Sequence, residues 1–576
     1  MGEIPPFVQY TSPASIHEHG SQLPLNLIAR IVSYLDDPGD IARVTRTSRL
    51  LYYMTLPQLY QHVALHSHSD MKYVNNRPEG YGSGSPFMMA LNGLVTKSYA
   101  GVVQHFRVWG EWKDIGAEDF AKGRVPDNSM MLNMMLRVCV DKMVKLRSFS
   151  WELDCKPLKT LYQGLAARDT LTSLTIKFPS SRLPRPSVCI PAMPALKVFK
   201  AIDIDPLCYP DDISVLILSS KNLIDLRLHF APRMRLKAEP SLSMEAYFGR
   251  CFKAGYIPKL KHVAMQNFFG PNTHALGAVM NPESCETMTF LDTFGGAQGG
   301  SANVFVDDTW RDIPSDTRFY CRTLRFNEFA EQHVKMIQNS TGLERVYIVN
   351  DRAGKPAMSS TGNTPGRDSA EYITPDDSPA PSSTNTINTT ITTPADFTTA
   401  RNADISTFGP FYINAFTQHH GSTLQHLLLS SHWKLNETDI STLIRCGPNL
   451  TQLGLALAHS QLSTLRLLLP FLEKLYAFRI LDHEDPLNPS DEEIIVDVGR
   501  NLYRAGARTM RWIGDLDRVF SVGEVVQRRV EGGAGGGDGG VEWLRKVERV
   551  GVEAVRGVEI WGLDCLDVMV DVGPVG

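Results

Sequence analysis

The sequence predicts an α/β protein: a small N-terminal unit of three helices, then an irregular solenoid of parallel strands and helices. Three observations predict it. Apolar residues keep helical spacing over residues 21–64. Beyond residue 100 an apolar-x-x-apolar-x-apolar triplet recurs at a repeat-like period. Helical stretches lie between the triplets. The 576 residues are 43% apolar, enough for a large core. Lys+Arg is 58 and Asp+Glu is 62, so the basic excess of a dedicated nucleic-acid binder is missing. No run reaches the roughly 18 uncharged apolar residues of a membrane span. The acidic, Pro-rich start is no secretory signal. Nine dispersed cysteines without a Cys-x-x-Cys pair read as reduced thiols of the cytoplasm or nucleus.

Residues 1–20 are polar and read as a loose N-terminus. Leu23-Pro24 opens the first helix, where proline is tolerated because the first N–H lacks a partner anyway. Leu27, Ile28, Ile31 and Leu35 share one helical face. Asp36-Asp37-Pro38 stops that helix and caps the next. Ile41 and Val44 continue an apolar face, and Leu50, Leu51 and Met54 start a third helix before Pro57-Gln58-Leu59-Tyr60. Some forty residues make a marginal core alone, so a partner or the next domain is expected to cover part of it.

Those residues, with Tyr34, Asp40 and Ser48-Arg49, resemble an F-box of the fungal type over residues 21–64. The resemblance implies docking of a Skp-type adaptor and, through it, a cullin. It implies adaptor contacts at Leu23, Pro24, Leu27, Ile28, Ile31, Leu35, Ile41 and Val44.

The body, residues 100–350 and 409–480, carries the triplets. They begin at Val103, Leu146, Leu171, Leu196, Leu223, Leu260, Cys285, Cys321, Leu343, Leu424, Leu450 and Leu472. One triplet means little, since at this composition a match arises by chance with probability about 0.08. From Leu146 onward, however, starts lie 22–37 residues apart, save one gap of 81. Between the strands, Leu158 to Ala167, Asp211 to Ser220, Glu328 to Gln338 and Thr438 to Cys446 read as helices, with Asp211 and Thr438 as N-caps. Strand then helix, repeated, puts parallel strands on a concave face with helices outside. The pattern resembles the leucine-rich-repeat F-box proteins, without the asparagine usual after the strand.

The long gap holds residues 353–405, rich in Ser, Thr, Pro, Asn and Asp, which reads as a disordered insertion. Its Thr364-Pro365, Thr374-Pro375, Ser378-Pro379 and Thr393-Pro394 look like proline-directed phosphorylation sites. Residues 486–576 read as a C-terminal cap with a Gly-rich loop at 532–540.

Chemistry for catalysis is thin. Gly535, Gly537 and Gly540 match a dinucleotide loop only inside a glycine tract, which reads as a flexible loop. His62, His66 and His68, like His419, His420 and His426, read as packing or exposed histidines, so no metal, cofactor or catalytic residue is expected. The expected function is substrate recognition in an SCF-type ubiquitin ligase, with no nucleic-acid or membrane partner. The alternatives are a non-degradative F-box scaffold, or an enzyme using the concave face.

Alternation along a strand places one residue per triplet on the concave face. In order these are Arg107, Ser150, Thr175, Lys200, Arg227, Ala264, Thr289, Arg325, Tyr347, Leu428, Gly454 and Tyr476. Arg107, Lys200, Arg227 and Arg325 make the row basic toward the N-terminus; Tyr347 and Tyr476 belong to an uncharged end. Such a face suits a protein target with acidic or phosphorylated residues beside an apolar anchor. Solvent-exposed Arg227 and Arg325 would tolerate charge reversal at about 0.5 kcal/mol each.

Overall fold

In the computed structural model, residues 23–570 are described apart from 69–71, 80–84, 113–124, 180–189, 206–209, 232–243, 269–280, 282, 292–317, 328, 330, 350–393, 458–468, 484–489 and 530–540. The chain is mixed α/β. Its N-terminal residues form α1 (Leu25–Val32), α2 (Pro38–Thr45) and α3 (Arg49–Tyr60). Asp37 caps α2 by accepting from the Asp40 N–H, and Ser48 caps α3 by accepting from the Leu51 N–H. The Gln58 amide donates to the Leu35 carbonyl at 2.6 Å, tying α3 to the end of α1.

The first strand follows directly, as β1 (His62–Ser67). The expected helical unit, 21–64, took in the first three of these residues. They belong instead to the sheet, because Val63 and Leu65 alternate inward. A short hairpin, β2 (Lys72–Val74) and β3 (Arg77–Glu79), stands apart. Then come α4 (Pro86–Thr96), β4 (His105–Gly110), α5 (Asp127–Lys142), β5 (Ser148–Leu153), α6 (Lys159–Ala166), β6 (Ser173–Lys177) and β7 (Val198–Ile204). The array continues through α7 (Pro210–Ser219), β8 (Asp225–Phe230), α8 (Met244–Lys253), β9 (His262–Gln266), β10 (Thr287–Leu291), β11 (Thr323–Phe326), α9 (Glu331–Asn339) and β12 (Arg345–Ile348). It closes with α10 (Pro394–His419), β13 (His426–Leu428), β14 (Lys434–Leu435), α11 (Glu437–Cys446), β15 (Gln452–Leu457), β16 (Ala477–His483), α12 (Asp491–Arg504), β17 (Trp512–Asp515), β18 (Arg518–Arg529), β19 (Val541–Val550) and α13 (Glu559–Gly562).

Among the described residues, one 17-stranded sheet runs through the protein. Its strands lie nearly in chain order and are parallel from β1 to β17; β18 and β19 add an antiparallel end. The larger core joins one face of the sheet to the helices, through residues such as Phe149, Phe199, Leu226 and Ile513 against Leu132, Leu161, Ile213 and Val498. Ser and Thr link neighbouring units at the start of the strands. Thr170, Ser284 and Thr423 stand just before a triplet, and their hydroxyls donate to the carbonyls of Leu146, Leu260 and Leu343, each the first apolar residue of the unit before.

Three expected boundaries move. The insertion was expected to run to 405, but the chain is helical from Pro394; residues 350–393, with three of the Ser/Thr-Pro pairs and Thr393 of the fourth, lie outside the described residues. The α11 N-cap is Asn436, not Thr438, and it accepts from the Asp439 N–H at 2.8 Å. The expected C-terminal cap contains another parallel strand, β17, and the glycine loop, 532–540, lies outside the described residues.

Candidate target-binding face

The residues expected on the concave face form one continuous register. Arg107, Ser150, Thr175, Lys200, Arg227, Ala264, Thr289, Arg325, Tyr347, Leu428 and Gly454 are successive cross-strand partners. The twelfth is Arg479, paired with Gly454, and not Tyr476. The true triplet there is Leu475/Phe478/Ile480, all buried. Leu472 and Leu475 offered the same spacing three residues early, so the phase was misread. Arg479 is therefore a cation the sequence reading missed, and the uncharged end of the row ends in a charge.

The row does not face solvent over most of its length. The C-terminal segment 558–570 lies across it, and the row side chains bind that segment's main chain. Arg227 is paired with Asp225 at 2.8 and 3.0 Å, and its Nη1 donates to the Met569 and Val570 carbonyls at 3.0 and 2.8 Å. Arg325 donates to the carbonyls of Leu563 at 3.0 Å, Asp567 at 2.9 Å and Cys565. Arg479 contacts the Asp564 carboxylate at 2.8 Å and donates to the Ile560 carbonyl at 2.9 Å. Lys200 donates to the Met569 carbonyl at 3.3 Å. Two glutamines complete the grip: Gln266 spans the Leu566 carbonyl and the Val568 N–H, and Gln452 spans the Glu559 carboxylate and the Ile560 N–H. Arginine and glutamine suit this, since they supply several donors in fixed geometry.

Apolar side chains of the same segment form a second core on this face. Val558, Ile560, Leu563 and Val568 pack with Ala264, Tyr347, Leu428, Ala477 and Leu481. A Cβ at Gly514 would sit 2.7 Å from Trp561 Cζ2, so glycine there makes room for the segment. Hence Arg227 is 7% exposed, Arg325 is 1% exposed and Tyr347 is fully buried, against the expectation of an open basic groove. Burial pulls the Arg325 pKa down, opposed by Cys565, Asp567 and Asp564. Burial, and then Glu559, raises that of Tyr347. Tyr476, half-buried beside the row, accepts from the Gln452 amide at 2.6 Å.

The end nearest the helices stays open. Arg107 is half exposed, held by Glu152 through Nε at 2.9 Å and through Nη2, with the Trp109 ring 5.1 Å away. His66 stacks on Trp109 at 3.7 Å, and His62 stacks on His105 at 4.3 Å. Burial, then His62 and Arg147, lower the His105 pKa.

On the helical unit, Leu23, Leu25, Leu27, Ile31 and Tyr34 are exposed, as are Leu50, Tyr52 and Tyr53 on α3. Pro24 is exposed, and Ile28, Leu35 and Val44 are half-buried. Ile41 is 4% exposed, so it belongs to the interior of the bundle and is no surface contact.

Burial raises the thiols of Cys139 and Cys285 to about 12. Among the described residues no three His, Cys, Asp or Glu side chains are grouped to hold a metal, and no helix is long and apolar enough to cross a membrane. No protein-family model matches the chain, and no curated protein does.

Proposed function

We propose that the chain is a substrate-recognition subunit of an SCF-type ubiquitin ligase: an F-box over residues 21–64 docks a Skp-type adaptor, and a leucine-rich-repeat-like solenoid holds a protein target. The observation that carries this reading is the exposed apolar surface of α1 and α3, from Leu23 to Tyr34 and from Leu50 to Tyr53. So many large apolar side chains on three short helices, at one end of a stiff sheet, mark a protein interface. Side-chain caps on α2 and α3, and the Gln58–Leu35 hydrogen bond, support that surface from within.

The target surface is then the uncovered part of the row beside those helices: Arg107 with Glu152, Trp109 with His66, and Ser150 and Thr175. A target held there lies near the adaptor. The chain acts by proximity, raising the effective concentration of target lysines at the ubiquitin-loaded enzyme, and supplies no catalytic group. A non-degradative F-box scaffold shares the first half of this reading.

The test is co-purification of the full chain with a Skp-type adaptor and cullin, comparing wild type with Ile31→Asp. Loss of both partners in the variant supports the reading; full retention refutes it. Ubiquitination of a captured target then separates ligase subunit from scaffold.

A further inference from the structure

Thr287, Thr323 and Arg345 are direct cross-strand neighbours on β10, β11 and β12. They stand two residues before Thr289, Arg325 and Tyr347, on the same face of the sheet, where the C-terminal segment lies. Thr287 is 3% exposed and Thr323 is fully buried. The hydroxyls of both, with Nε and Nη1 of Arg345, are shut off from solvent and have no hydrogen-bond partner among the described residues.

Three adjacent strands thus present unanswered donors in one line, about 5 Å apart from strand to strand. Other cations of this face are provided for: Arg227 has Asp225, Arg479 has Asp564, and Arg325 has three carbonyls. Among the described residues, Nε and Nη1 of Arg345 have no acceptor. The groups around it do not supply one. His262 flanks Thr287 on β9 and His426 flanks Arg345 on β13. The Tyr347 hydroxyl is engaged by His426 Nδ1 at 2.8 Å, and the Glu559 carboxylate accepts from Gln452. Arg345 is half-buried, but shutting two of its guanidinium nitrogens off without an acceptor is costly, and buried hydroxyls are paired in native proteins. Two hydroxyls and one guanidinium together are the donor set that recognises an oxyanion.

We propose that Thr287, Thr323 and Arg345 form a binding site for a small oxyanion, a phosphate or a carboxylate group, enclosed on the row face of the sheet beside the C-terminal segment. Being enclosed, the anion is a part of the folded protein. It binds the folded chain and not the unfolded one, so it stabilises by mass action. The site is independent of the ligase reading.

The experiment uses the full chain exchanged into chloride buffer, with inorganic phosphate or acetate added at matched ionic strength. Titration calorimetry and thermal melting are the readouts. One of the two anions is expected to bind with unit stoichiometry and to raise Tm by a few degrees near saturation. Phosphate alone marks a tetrahedral site and acetate alone a carboxylate site. Arg345→Met and Thr323→Val are each expected to weaken binding about tenfold or more. Arg345→Met is expected to melt no lower than wild type in chloride, since it removes two buried N–H donors that have no acceptor. If it fails to fold, Thr323→Val alone carries the test. Equal melting in phosphate, acetate and chloride overturns the proposal, the donors then being served by water only. Undiminished affinity in the variants overturns it equally, as an adventitious ion only.

Discussion

Arg479 Nη1 lies 2.8 Å from Asp564 Oδ2, and both side chains are almost wholly enclosed. The pair joins β16 to the C-terminal segment, so that segment is built into the fold. Asp564→Ala leaves the arginine buried beside a lost carboxylate. The expected cost is about 3–5 kcal/mol of unfolding free energy, read by denaturant titration. A loss below about 1 kcal/mol would mean the segment is held elsewhere.

Charge reversal separates the two ends of the row. Arg227→Glu sets a second acid against buried Asp225 and strips the Met569 and Val570 carbonyls of their donor. It is expected to destabilise by several kcal/mol, not the 0.5 or so that an exposed position implies. Arg107→Glu removes a half-exposed pair with Glu152 and is expected to cost about 1 kcal/mol or less, while reducing target capture. Equal thermal stability of the two variants would contradict the burial difference.

The register was legible in the sequence because its causes are local. Alternation along a strand and a period near 25 residues placed eleven of the twelve row positions. Tyr476 failed because Leu472 and Leu475 satisfy the same spacing as Leu475 and Phe478. The occupant of the face was not legible. Arg227 reaches Val570 across 343 residues and Arg325 reaches Asp567 across 242, and no periodic pattern links them. Alternation tells which face a side chain takes, not what lies on that face. Ile41 shows the same limit in a helix: its spacing marks it apolar, and only packing decides between interior and surface.

On the helical unit, Ile31→Asp and Ile41→Asp are expected to part company. Ile31 is 58% exposed, so its substitution changes stability by about 0.5 kcal/mol and abolishes adaptor binding. Ile41→Asp buries a charge in the bundle and unfolds it, losing several kcal/mol. Far-ultraviolet circular dichroism with adaptor pull-down distinguishes them. Retained binding in Ile31→Asp would remove the proposed docking surface.

Acid is expected to loosen the C-terminal half through His426. Burial lowers its pKa from 6.5 to about 4; Glu559 opposes the shift and Arg345 adds to it. The ring is enclosed between Tyr347, whose hydroxyl meets Nδ1 at 2.8 Å, and Gln452 at 3.3 Å from Nε2. In the folded protein it stays neutral down to about pH 4, whereas the unfolded chain takes up a proton below about pH 6.5. Between those values the unfolded state binds more protons, so stability falls as pH falls. The contribution is complete above pH 6.5 and lost progressively toward pH 4, by up to about 3 kcal/mol. Burial lowers His420 and His229 in the same sense. His426→Gln keeps a polar amide beside Tyr347 without titrating in this range. Its unfolding free energy, followed by urea titration from pH 7 to 4, is expected to vary less steeply than that of wild type. Identical slopes would show that His426 takes up its proton as readily in the folded protein as in the unfolded one.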